Sequence, residues 1–107
     1  MSFELPALHL VTADEVDDPQ ALRLRLSVND VLRQDGTSAD MVFGVDHVIW
    51  YLSQFMVLEP GDLINTGTPA GVALGLPDHP YLRAGDVVEL EISGLSRAVQ
   101  TFAQATR

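Results

Sequence analysis

The sequence predicts a mainly β domain with one central helix, and three stretches carry that prediction. Leu22-Arg23-Leu24-Arg25-Leu26-Ser27-Val28 alternates apolar and polar residues with period two, the mark of a half-buried strand. Val87-Val88-Glu89-Leu90-Glu91-Ile92 places Val88, Leu90 and Ile92 on one face and Glu89 and Glu91 on the other. Between them Val45, Val48, Ile49, Leu52, Phe55 and Met56 recur at helical spacing. An antiparallel sheet built from hairpins, with the helix on one face, satisfies all three.

In chain order, Leu8-His9-Leu10-Val11-Thr12 alternates weakly and is expected to be a first strand. Ala13 to Pro19 carries Asp14, Glu15, Asp17 and Asp18 and reads as a solvated acidic loop. Its spacing does not follow the calcium-loop pattern and no glycine supplies that loop's sharp turn. After the Leu22–Val28 strand, Asn29-Asp30 supplies a hairpin turn, and Val31-Leu32-Arg33-Gln34 returns antiparallel. Arg23 and Arg25 point outward onto a solvated or interface face, where two arginines two apart are also able to clamp a partner chain's carboxylate.

Asp35 to Asp40 is expected to be a polar connector, and the helix to run from Asp46 to Phe55 or Met56. Asp46 suits the N-cap or the first turn, where a carboxylate favours the helix dipole. Trp50 and Tyr51 lie off the apolar stripe and are expected to meet another subunit or a missing segment. His47 reads as a solvent-exposed first-turn residue. Beyond the helix, Leu76-Pro77-Asp78-His79-Pro80 is a surface loop. Leu82-Arg83-Ala84-Gly85-Asp86-Val87-Val88 echoes Leu58-Glu59-Pro60-Gly61-Asp62-Leu63-Ile64, so both Gly-Asp turns are expected to launch strands. Ser93-Gly94 turns the chain into a last strand, Arg97 to Ala105.

At 107 residues the chain is at most one domain, long enough to bury a core without staples. It has no cysteine, hence no disulfide, thiolate metal site or cysteine nucleophile, which fits a reducing cytoplasm. Fifteen Asp and Glu stand against six Arg and no Lys, a formal charge of -9. A nucleic-acid binder needs a positive footprint, and anionic membranes repel such a chain. No apolar run approaches the roughly 20 residues that span a bilayer, and Met1-Ser2-Phe3-Glu4-Leu5-Pro6 lacks a secretory signal's basic start. A cytoplasmic protein is the expectation.

The stretch that organises the chain is Leu58-Glu59-Pro60-Gly61-Asp62-Leu63-Ile64-Asn65-Thr66-Gly67-Thr68-Pro69-Ala70-Gly71-Val72. It reads as a tight turn, a short buried strand over Asp62–Thr66, and a loop rich in hydroxyls and unencumbered N–H groups. Such a loop can bring its backbone close to a small anion. No complete catalytic set accompanies it. His9, His47 and His79 show no metal-ligand spacing, Ser53 and Ser93 lack a nucleophile elbow, and no phosphate-binding loop or dinucleotide fingerprint occurs. The Glu89-x-Glu91 pair lies opposite the aliphatic face and reads as solvated, not as a metal ligand set.

Several of these blocks resemble the fumarylacetoacetate hydrolase family. They are Leu10-Val11-Thr12-Ala13-Asp14-Glu15-Val16 with Asp18-Pro19 and the Leu22–Val28 strand; Thr37-Ser38-Ala39-Asp40-Met41-Val42-Phe43; Tyr51-Leu52-Ser53-Gln54-Phe55; Leu58 to Val72; and Leu82 to Ile92. The resemblance runs from about Leu10 to about Gln100, with the Thr-Gly-Thr-Pro block its most specific part. It implies part of a mixed β-sandwich roll that dimerises. It further implies a Mg²⁺ or Mn²⁺ enzyme whose metal, held by a Glu-x-Glu pair and an Asp, chelates a 2-oxo carboxylic acid for C–C hydrolysis, decarboxylation or isomerisation. Thr68 is implied to contact the substrate carboxylate, with Gly67 and its backbone in support. The family's metal ligands and catalytic lysine lie upstream of the matched blocks, and the role of its Glu-x-Glu does not carry over to Glu89 and Glu91. No metal is therefore expected for this chain alone, and the isolated chain is expected to be inactive. It reads as a single partial catalytic domain over residues 1–107, working as a homodimer or with a companion chain that carries the metal site. A non-catalytic assembly module or half of a split enzyme is the alternative.

Overall fold

The alternating stretch of the sequence forms β1 (Arg23–Val28), which turns back into β2 (Val31–Thr37). Asn29 and Asp30 close the hairpin at φ 49° and 66°, a left-handed pair that asparagine and aspartate tolerate best. The computed structural model describes residues 10–105. β3 (Val87–Ile92) and β4 (Ser96–Thr101) complete a four-stranded sheet in the order β2-β1-β3-β4, antiparallel throughout. The register sets Leu24 opposite Ile92, Leu26 opposite Leu90 and Val28 opposite Val88, so the two central strands share one apolar face. On the other face Arg25 lies opposite Glu91 and Glu91 opposite Arg97, opposite charges where cross-strand pairs favour them.

β2 carries an irregularity: Leu26 pairs with Gln34 and Ser27 with Leu32, leaving Arg33 as an extra residue. It also runs further than the alternation suggested. Asp35, Gly36 and Thr37 pair with β1, and only Ser38–Asp40 leave the strand, in a 3-10 turn whose Ala39 N–H is capped by Thr37 Oγ1. The last strand ends earlier than expected, at Thr101 opposite Val87 where β3 begins; the next residue, Phe102, bonds the turn before β3, its N–H donating to Asp86 O at 2.9 Å and its carbonyl accepting from Gly85 N–H at 2.7 Å. Of the expected first strand, Leu8 and His9 lie outside the described residues, and Leu10, Val11 and Thr12 belong to no strand. The acidic segment makes a 3-10 turn, Ala13–Glu15, with its four carboxylates in solvent.

Helix α1 (Val45–Ser53) starts after Gly44 and holds Asp46 in its first turn. It stops short of Phe55 because its last turn tightens, with Gln54 N–H bonding Tyr51 O and Phe55 N–H bonding Leu52 O. Its start is fixed by Gln20, whose Oε1 accepts from Val45 N–H while its Nε2 donates to Ser38 O at 2.7 Å. Buried Ser38 completes the clip, donating to Pro19 O and accepting from Leu22 N–H. Nothing in the periodicity pointed to Gln20 or Ser38.

The core is thinner than the composition promised. Among the described residues Val88, 5% exposed, is the single buried apolar side chain. Val45, Val48 and Leu52 are half-buried, whereas Phe55, Trp50, Tyr51 and Met56 are exposed.

The two Gly-Asp turns are near copies. Gly61 and Gly85 sit at φ 95° and 93°. Asp62 and Asp86 each bond the carbonyl three residues back at 3.1 Å, and each side chain accepts that residue's N–H at 2.8 Å. The second turn launches β3. The first does not launch the expected buried strand: Asp62–Thr66 belongs to no strand and Leu63 is 84% exposed. A turn is locally determined, but a strand needs a neighbouring strand, and Asp62–Thr66 joins none of the four strands of the sheet.

Candidate functional site

Beyond that segment the chain folds back onto the apolar face of β2. Asn65 Oδ1 accepts the Gly67 N–H at 3.0 Å, and Gly67 takes φ 90°, a conformation other residues adopt only with strain. Gln34, on the face of β2 that meets Leu26, then holds the loop. Its Nε2 donates to Thr68 Oγ1 at 2.8 Å and to Pro69 O at 2.9 Å. The Pro69 ring lies over Gly36, where a Cβ would come within 3.0 Å of it. Gly71, at φ 118°, lets the backbone touch the extra residue of β2; a Cβ there would fall 2.0 Å from Arg33 O. Four contacts from one strand therefore fix the position of Thr68.

Asn65, Thr66, Gly67, Thr68 and Pro69 form one wall of a cleft of about 610 Å³. Leu22, Leu24 and Ile92 from the sheet, Met41 to Phe43 from the approach to α1, and Val48 from the helix supply its apolar surface. Asp40 is the one carboxylate among the described residues lining it, and none of those residues is Arg or His.

The structure brings the two expected binding residues, Gly67 and Thr68, together on this wall, with different endowments. The Gly67 N–H is committed to Asn65, so its contribution is conformational. Thr68 offers two donors. Its hydroxyl oxygen accepts from Gln34, which directs the hydroxyl hydrogen elsewhere, and its N–H takes no hydrogen bond among the described residues. Gln34 is the residue sequence reasoning missed. Its signal was a polar side chain on the strand face that carries Leu26, legible only once the register is known.

The opposite sheet face is ionic and carries two ion pairs. Arg23 grips Asp35 through Nε at 3.0 Å and Nη2 at 2.9 Å. The hydrogen bond from Arg23 holds the Asp35 carboxyl below the usual aspartate range and raises the guanidinium above its ordinary value. Of the two arginines expected to be able to clamp a partner's carboxylate, Arg23 is engaged by Asp35 within the chain. Glu89 accepts from Arg97 Nη2 at 2.6 Å, so the Glu89-x-Glu91 pair sits in an ionic network across the sheet from Thr68. His47 is exposed and stacks on Phe43 at 4.8 Å, and His79 stacks on Tyr81; neither lines the cleft. His9 lies outside the described residues. Among the described residues no three His, Asp or Glu side chains converge as a metal site, so these residues do not fit a divalent ion.

A family model described as the carboxyl-terminal part of fumarylacetoacetate (FAA) hydrolase matches residues 5–103, reaching further at the start than the sequence blocks had suggested. A Burkholderia multivorans protein named as a presumed hydrolase is 51% identical over 92 residues, 85% of this chain and 33% of its own. Among solved structures, maleylpyruvate hydrolase from Sphingobium sp. SYK-6, in complex with manganese(II) and pyruvate, superposes with a TM-score of 0.80 at 35% identity, covering 91% of this chain and 34% of that one. A 2-hydroxyhepta-2,4-diene-1,7-dioate isomerase from Mycobacterium marinum gives a TM-score of 0.69 at 35% identity, over 80% and 31% of the two chains. The chain spans about a third of the length of these relatives. The sheet-plus-helix architecture is that of the matched third, as the fold class expected.

Proposed function

Because the chain belongs to the fumarylacetoacetate hydrolase family, whose matched members include oxo-acid hydrolases and isomerases, we propose that it is the carboxylate-binding wall of such an enzyme. The substrate is a small 2-oxo carboxylic acid, and the reaction is C–C hydrolysis, decarboxylation or isomerisation. The observation that carries this reading is Thr68, held by Gln34 on a cleft wall with its hydroxyl hydrogen and its N–H both free of other described partners. Two neutral donors side by side suit a carboxylate, since charge-assisted hydrogen bonds are roughly twice as strong as neutral ones. They bind and orient the acid; they neither move a proton nor attack carbon.

The rest of the chemistry belongs to another polypeptide segment. With no lysine or cysteine in the chain and no histidine on the cleft wall, Asp40 is the one carboxylate the described lining offers for proton transfer, and any other proton-transferring group comes from outside the described residues. Mg²⁺ or Mn²⁺ would likewise take its ligands from outside them. The chain alone is inactive and works beside a companion that carries the metal site, or as part of a homodimer, in the cytoplasm. No helix among the described residues is long and apolar enough to cross a membrane. A second reading, an assembly module without catalysis, draws on Trp50 and Tyr51, 58% and 53% exposed on α1.

A chimera separates the two readings. This chain replaces the matched third of the Sphingobium maleylpyruvate hydrolase, and hydrolysis of maleylpyruvate is followed with added Mn²⁺. The enzyme reading expects turnover, with Thr68→Ala raising KM about 10- to 100-fold and Thr68→Ser restoring most of it, the scale of a lost hydrogen bond to a charged group. An unchanged KM in Thr68→Ala sinks the carboxylate role.

A further inference from the structure

We infer that Gln34 is a positioning residue that fixes the Thr68 hydroxyl as a hydrogen-bond donor, so that this point of the cleft wall takes only an acceptor such as a carboxylate oxygen. Its role in the reaction rests on the reading above, in which Thr68 meets the substrate carboxylate.

The irregularity in β2 brings Gln34 to that place. From the hairpin tip, Val28 pairs with Val31 and Ser27 with Leu32. Carried on in step, that register would set Arg33 opposite Leu26 and Gln34 opposite Arg25, on the ionic face. The extra residue at Arg33 shifts the pairing by one, and Gln34 meets Leu26 on the apolar face, the one from which Leu24 lines the cleft. Gly71 braces the arrangement: a Cβ there would fall 2.0 Å from Arg33 O and 2.9 Å from Gln34 Cγ.

Donor and acceptor types then set the direction of each bond. Pro69 O is a carbonyl and can only accept, so the Gln34 side chain must turn Nε2 toward the loop, and not Oε1. Nε2 has two hydrogens. One goes to Pro69 O at 2.9 Å and the other to Thr68 Oγ1 at 2.8 Å. An amide nitrogen cannot accept, so the Thr68 hydroxyl keeps its own hydrogen for a different group. A backbone carbonyl thereby dictates, through one amide, what the wall offers a ligand.

Two measurements test this. In the full chain, exchange of the two hydrogens on Gln34 Nε2 is followed by NMR. Thr68→Val keeps the shape and loses the hydroxyl; it is expected to speed the exchange of one hydrogen about 5-fold and to leave the other, held by Pro69 O, as it was. No change at either hydrogen overturns the proposal. In the chimera described above, Gln34→Leu is expected to raise KM about 10-fold with kcat within about 2-fold. In a Thr68→Ala background the same substitution is expected to change KM less than about 2-fold, because a residue that acts through the hydroxyl has nothing left to act on. An equal rise in both backgrounds gives Gln34 a structural role alone and overturns the proposal. An unchanged KM in Gln34→Leu beside a raised KM in Thr68→Ala overturns it and leaves the carboxylate reading standing. An unchanged KM in Thr68→Ala overturns both. Should Gln34→Leu fail to fold, the exchange measurement, made with Gln34 in place, still decides.

Discussion

The turns at Gly61-Asp62 and Gly85-Asp86 share glycine φ, hydrogen-bond pattern and distances, yet their continuations have opposite fates. After Asp86 the chain enters β3, between β1 and β4, where Val88 reaches the centre of the apolar face. After Asp62 it joins no strand of the sheet until Gln34 catches it at Thr68 and Pro69. A turn needs only its own residues. A strand needs a neighbour to share its hydrogen bonds, and the neighbour was the variable.

The largest expected contrast is in stability. Val88→Ala should lower the unfolding free energy of the chain by about 2 kcal/mol, the usual scale for truncating a buried aliphatic. Leu63→Ala, directly after the other turn, should change it by no more than about 0.5 kcal/mol because the side chain is in solvent. Thermal or urea unfolding of both variants measures this. Comparable losses would mean that the first turn does launch a packed strand.

A smaller contrast lies in acid. Asn29 Nδ2 bonds Asp86 at 2.9 Å, and that bond, with the Arg83 N–H, holds the Asp86 carboxyl below the usual aspartate range. A carboxyl lowered in the folded state adds stability that is present above the unfolded pKa, about 3.9, and is lost as pH falls through the lower folded value. Asp35, lowered by Arg23, acts in the same direction. Stability should therefore drop below about pH 4, and Asp86→Asn should shrink that drop. Urea midpoints at pH 3 and pH 6 check the difference, and an unaltered drop in Asp86→Asn would remove the tie between hairpin tip and turn from the account.

What was legible follows the same division. The hairpin, the second turn, β3 and most of α1 could be read because each announces itself locally, by alternation, by helical spacing or by asparagine and aspartate at positive φ. Thr68 and Gly67 were legible as a loop with donors to offer. What Gln34 does to them was not, since its direction depends on the pairing of β2 with β1 and on the irregularity at Arg33. Gln20 and Ser38 were equally silent, their partners lying 16 to 25 residues away along the chain. The buried strand at Asp62–Thr66 failed because burial and pairing were inferred from residues that can only propose them.

The carboxylate wall is tested most directly by the structure of the chimeric enzyme with pyruvate bound. The account predicts a carboxylate oxygen within about 3 Å of Thr68 Oγ1, with Gln34 Nε2 still donating to that hydroxyl from the other side. Pyruvate seated elsewhere, with Thr68 touching only solvent, would contradict it.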